Sequence, residues 1–308
     1  MKYHENTALG VQLMLLASFL FAVMGVFVKL LSEFMSPMEI VFFRNVFGVF
    51  LIGISVIKSP IVQEGGKFWL LILRGVFGFT AVIAFFYNMT TISLAEAMIF
   101  SKTAPIFTAF FAFLFLHERL NLYQWMAIFL GFFGMVLIIQ PEDVSLGFDL
   151  NDILGIISGV GAGLAYTSIR ELKKHYENRS IVLSFMGVGT LAPIGLLLIS
   201  EFTNFTFLDF MIYPFVVPHS TEAWIYILIM GGLATVSQIL MTKAYGETKA
   251  GIVSAVSYSG IIFSTIFGVA IFSDPFPTYI GIIGTILIIF SGLLIAMTKD
   301  KHRKKHKK

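Results

Sequence analysis

Ten long apolar stretches separated by short polar connections account for most of this 308-residue chain: 8–31, 37–57, 68–89, 92–116, 122–140, 152–170, 180–200, 222–242, 250–272 and 277–298. A helix rising 1.5 Å per residue needs about 20 apolar residues to cross a bilayer. Each stretch therefore predicts a transmembrane helix, and the fold class is an all-α membrane protein. The first stretch exceeds a signal-peptide core and lacks an A-x-A cleavage site, so it is expected to be retained. The longest connection, 201–221, is rich in Phe and is expected to lie along the membrane surface.

The polar positions orient these helices. Of 21 Lys and Arg residues, seventeen sit in alternate connections: Lys2; Lys58 and Lys67; Arg119; Arg170, Lys173, Lys174 and Arg179; Lys243 and Lys249; and seven between Lys299 and Lys308. The intervening connections contain none. By the positive-inside rule both termini are cytoplasmic; the expected location of this multi-pass chain is the bacterial inner (plasma) membrane. The tail 299–308 is topogenic, and its cations can also hold anionic membrane lipids at about 1 kcal/mol each. The net charge of +3 then calls for no nucleic-acid partner.

Composition narrows the chemistry. The chain is 57% hydrophobic and 13% charged, too apolar for a water-facing surface, and it has no Cys, which removes disulfides and thiolate sites. All six His fall in connections or tails. No paired carboxylates, Gly-rich phosphate loop or metal-ligand spacing is present. A non-enzyme with no cofactor and no metal is expected.

The chain also repeats itself. An offset of 158 places Tyr87, Thr90, Ala97, Ser101 and Gly134 on Tyr245, Thr248, Ala255, Ser259 and Gly292, so spans three to five resemble spans eight to ten. An offset near 141 places Lys29 on Arg170. Five spans per copy is odd, so the second copy must enter the membrane in the opposite sense. Inverted repeats suit secondary transporters, because two pseudo-symmetric halves can rock about a central site. The predicted units are 8–140, 150–298 and the tail 299–308.

Ten spans in two halves, together with Phe43-Arg44-Asn45, Leu73-Arg74-Gly75, Tyr87, Ser93-Leu94-Ala95-Glu96-Ala97 and Leu116-His117-Glu118-Arg119, resemble the EamA type of the drug/metabolite transporter superfamily. The resemblance covers nearly the whole chain. It implies an alternating-access permease with a central cavity, in a family whose cargoes run from amino acids to nucleotide sugars. The second half departs from the first in having Asp274-Pro275-Phe276 near the position of Glu118 and no counterparts of Arg44, Arg74 and Lys102.

Charges within the spans locate the candidate site, since each costs about 2.5–3.5 kcal/mol at the bilayer centre on insertion scales. Lys29 is near enough to a span end to snorkel. Arg44 and Arg74 each lie seven residues inside their spans, about 10 Å. Lys102 lies deepest, three residues before Pro105, which cannot donate to the Ser101 carbonyl. Glu39 closes a capping box with Ser36, and Ser93 to Glu96 repeats that logic. Both acids carry two open roles: cap, or coupling to protons or a counter-substrate. The second half faces these groups with hydroxyls and rings, among which Tyr166 and Tyr258 can stack on and orient a metabolite.

The expected substrate-binding set is Lys102, Arg44, Arg74, Tyr87, Ser101, Tyr166 and Tyr258. The expected function is secondary-active transport of a small organic anion or zwitterion by a monomer or homodimer. A flippase for a phosphate-headed lipid carrier is the rival reading.

Overall fold

A computed structural model describes residues 6–91, 94–139, 150–200, 217–274 and 276–297. Twelve helices occur among them: α1 (Thr7–Leu31), α2 (Pro37–Lys58), α3 (Phe68–Thr91), α4 (Leu94–Ser101), α5 (Ala104–Leu116), α6 (Leu122–Ile139), α7 (Leu150–Leu172), α8 (Asn178–Ser200), α9 (Thr221–Glu247), α10 (Ala250–Val256), α11 (Ser259–Phe272) and α12 (Tyr279–Met297). Taking α4 with α5 and α10 with α11, these form eight spans of membrane-crossing length and composition, and α6 and α12 supply two shorter apolar helices. The ten stretches of the sequence are thus ten helical passes. The tail 299–308 and most of the Phe-rich connection lie outside the described residues.

Spans four and nine are broken in the middle. In span four, Pro105 offers no N–H to the Ser101 carbonyl, and the chain tightens at Thr103, whose N–H bonds Phe100 O at 3.1 Å. Span nine has no proline at the equivalent place. There the hydroxyl of Ser257 donates to Ser254 O at 2.6 Å, and Tyr258 N–H bonds Ala255 O at 3.3 Å. Hydroxyls competing for backbone carbonyls, followed by Gly260, open the helix as the proline does.

The packing has the two-fold pattern of an inverted repeat. α1 packs on α9 as α7 packs on α3; α5 packs on α7 as α11 packs on α1; α3 packs on α8 as α9 packs on α2. The equivalent pair α6 and α12 pack on each other. Their approach depends on two glycines, because a Cβ at Gly134 would lie 2.6 Å from the Gly284 carbonyl oxygen and one at Gly284 would meet Gly134 in turn. In lipid, where apolar burial supplies little drive between helices, such close backbone contact is a main source of association.

Contacts between ends separate the two faces of the bundle. Asn6 N–H bonds Glu247 O at 2.9 Å, and Arg179 Nη1 donates to Ser55 O at 3.0 Å and Ser59 O at 2.8 Å, satisfying the end of α2. These join the start of α1 to the end of α9, and the start of α8 to the end of α2. Lys29 and Asn88 meet Asp274 and Asn151 on the opposite face.

Replacing Gly134 by Leu is expected to force α6 and α12 apart at a cost of about 1–3 kcal/mol. A melting temperature in detergent lower than that of the parent protein checks this; an unchanged value would remove the glycine contact from the account.

Candidate functional site

A cavity of about 340 Å³ lies among α1, α2, α3, α7, α8, α9 and the two broken spans. That volume suits a small metabolite. Arg44 from α2, Arg74 from α3 and Lys102 from the break between α4 and α5 all line it. Ser101 and Tyr166 of the expected set line it too, joined by Phe185, Gln238 and Tyr245.

The three cations are held differently. Arg44 and Arg74 stand over the same ring, with Cζ 5.9 Å and 4.5 Å from the Phe185 centroid. Such contacts contribute about 0.5–2 kcal/mol each but accept no hydrogen bond in the manner of an oxygen. Arg74 is buried to 1% exposure, and its Nε and Nη1, with Arg44 Nε, have no hydrogen-bond partner among the described residues. Lys102 sits where the helix is open, and no described residue bonds its ammonium. No carboxylate is among the described residues lining the cavity.

Tyr166 and Tyr245 stack at 5.3 Å with their planes 16° apart, forming a flat wall from α7 and α9. Tyr258 is placed otherwise than expected. It is fully buried outside the lining, and its hydroxyl donates to Lys102 O at 3.1 Å, so the two breaks are tied together. Tyr87 also lies outside the lining.

Glu39 is a cap: its Oε2 accepts from Ser36 N–H at 2.7 Å and from the Ser36 hydroxyl at 2.9 Å, at the start of α2 and outside the cavity lining. The Glu96 side chain lies outside what the structure describes.

Phe185 was not singled out from the sequence, being one of 34 phenylalanines. The other unforeseen feature is a pair of repeat-related salt bridges, one on each face. Both begin at a left-handed residue closing a broken span. His117 has φ 53° and Ser273 has φ 56°, and the next residue in each case donates back six positions, Glu118 N–H to Ala112 O and Asp274 N–H to Gly268 O, both at 3.1 Å. The equivalence of Glu118 with Asp274 has an offset of 156, the same as that between the starts of α4 at Leu94 and α10 at Ala250, and two fewer than the offset of 158 read from the sequence.

On the N-terminal face, Glu118 Oε1 accepts from Arg170 Nε at 2.8 Å and its Oε2 from Ala250 N–H at 3.0 Å. The two side chains are only 13% and 9% exposed. Arg170, expected only to set topology, is thus a structural cation. Beside it, burial lowers the Lys173 ammonium below the usual lysine value, opposed by the Glu247 carboxylate. On the other face, Lys29 Nζ meets Asp274 Oδ1 at 3.1 Å and lies 4.1 Å from the Phe272 ring centroid, with the two side chains 51% and 47% exposed. Lys29 is therefore paired, rather than only snorkelling.

The EamA-like transporter family model matches residues 8–140 and again 150–297. The chain belongs to this family. An uncharacterized transporter of Helicobacter pylori is 35% identical over 95% of this chain and 96% of its own length. The pseudopaline exporter CntI of Pseudomonas aeruginosa is 31% identical over 94% and 96%. Mouse solute carrier family 35 member G1 is 29% identical over 92% of this chain and 77% of its own. A crystal structure with 13% identity matches at a TM-score of 0.73, covering 94% of this chain and 96% of that one, which establishes the fold alone. The EamA-like relatives are named as transporters, so this is a membrane transporter of the drug/metabolite type, for which inverted repeats and alternating access are general.

The two salt bridges predict unequal sensitivities. Breaking a buried pair by removing one partner costs about 3–5 kcal/mol, whereas an exposed pair contributes about 0–1 kcal/mol. Glu118→Gln is expected to lower the melting temperature clearly and Asp274→Asn barely; equal losses would contradict the difference in burial.

Proposed function

We propose that this protein is a secondary-active, alternating-access transporter that carries a small organic anion across the bacterial plasma membrane, with both termini cytoplasmic. One observation carries the reading. Arg44, Arg74 and Lys102 share a cavity of metabolite size, and no described residue hydrogen-bonds or ion-pairs with any of them. Buried polar groups without partners are costly, so they persist where a ligand completes them.

In this reading Arg44, Arg74 and Lys102 bind the acidic part of the cargo. Ser101 and Gln238 orient its neutral polar part, and the stacked Tyr166 and Tyr245 form a flat wall against it. Glu96 is the candidate for coupling a proton or a counter-substrate, since Glu39 is occupied by its cap. The likeness to the pseudopaline exporter supports export of a small metabolite.

The test begins with a thermal-shift screen of purified protein against metabolite pools, because a ligand that binds the folded state raises its melting temperature. The hit is then followed as a labelled solute in proteoliposomes. Lys102→Ala is expected to reduce saturable transport roughly tenfold or more, the loss of a charge-assisted hydrogen bond, with the helical circular dichroism unchanged. Undiminished transport would remove Lys102 from the site. Stabilisation by prenyl phosphates alone would instead favour a lipid flippase.

A further inference from the structure

The arrangement of the three cavity cations goes further than a preference for negative charge. Arg44 and Arg74 are gathered on one wall by the Phe185 ring that both of them face. α2 packs on α8 and α9, and α3 packs on α7 and α8. Lys102 comes instead from the break between α4 and α5, which share the contact with α7, α5 also packing on α10, and its carbonyl is fixed by Tyr258 from the other repeat. Among the described residues, no ring contact joins Lys102 to the arginine pair.

The two positions also differ chemically. Three guanidinium nitrogens, Arg44 Nε and Arg74 Nε and Nη1, are buried without an acceptor among the described residues, so the arginine wall has room for several oxygens. A carboxylate or a phosphate supplies several acceptor oxygens to guanidinium groups through charge-assisted bonds. A lysine ammonium is a compact point charge that accepts an anion from many directions. Charge balance points the same way. A zwitterion leaves all three positive charges uncompensated by described lining residues, a monoanion leaves two, and a dianion leaves one. A cargo that neutralises more of these charges is therefore favoured over one that neutralises fewer.

Resting on the anion-carrier reading above, we propose that the cargo bears two separate acidic groups, one seated on Arg44 and Arg74 against Phe185 and the other on Lys102. The cavity is then a two-point clamp that selects by the number and spacing of charges. Lys102 sets the preference for a second acid, and the arginine pair sets affinity for any acid.

A set of acids with graded charge and spacing tests this: butyrate, succinate, glutarate, adipate and tricarballylate, titrated by thermal shift on the purified protein. At least one diacid or the triacid is expected to stabilise the protein at a concentration about tenfold below that of butyrate, corresponding to about 1.4 kcal/mol. Lys102→Gln should weaken that acid more than butyrate and so abolish the roughly tenfold ratio between them. Lys102→Arg should retain the preference, which separates loss of charge from loss of fold. Arg74→Gln should weaken mono- and diacids alike. If butyrate binds as well as every polyacid, or if Lys102→Gln weakens both classes equally, the two-point clamp is wrong while the anion carrier stands. If no acid in the set stabilises the parent protein at millimolar concentration, both readings fall.

Discussion

A cation drawn into a bilayer must find an acceptor or incur about 2.5–3.5 kcal/mol, and the arrangement of these helices follows how each buried cation meets that demand. Arg170 meets it with Glu118 and with the Gly246 carbonyl, which binds α7 to the end of α5 and the connection between α9 and α10. Lys29 meets it with Asp274 at the opposite face. Arg44 and Arg74 meet it only in part, through the face of one phenylalanine, and Lys102 does not meet it within the described residues. Packing and topology thus satisfy the cations at the ends and leave those in the middle open.

The two-fold pattern of the scaffold makes this division informative. Packing elements recur in both copies: the breaks in spans four and nine, the left-handed residues His117 and Ser273, and the acids that follow them. Arg44, Arg74 and Lys102 occur in one copy only. Features shared by both halves fit a role in the movement of the scaffold, which both halves must perform. Features confined to one half fit a role in recognising an asymmetric cargo.

Much of this was legible in the sequence, for reasons that also explain the rest. The ten passes could be read because lipid imposes a length on every apolar stretch. The interior positions of Arg44, Arg74 and Lys102 followed from counting along those stretches. Pro105 announced the first break, but the second comes from serine hydroxyls competing for carbonyls, a signal that ordinary membrane helices also carry. Pairings such as Arg170 with Glu118 join residues 52 positions apart and depend on how helices cross. The Asp274 equivalence lies two residues from the offset of 158 read in the sequence; the same left-handed turn closes both copies, so the turn itself does not account for the difference. Tyr258 was sought in the cavity on the strength of its ring and hydroxyl, while its hydroxyl is directed to a backbone carbonyl.

The hydrogen bond from Tyr258 to the Lys102 carbonyl has a consequence for communication within the molecule. Lys102 presents its ammonium to the cavity and its backbone oxygen to the opposite repeat, at a point where neither helix is continuous. A force on the side chain therefore acts at a joint shared by the two halves. With Lys102 as the proposed cargo ligand, recognition and inter-repeat contact would meet in one residue, and arrival of cargo would act across the symmetry boundary without a relay of intermediate side chains.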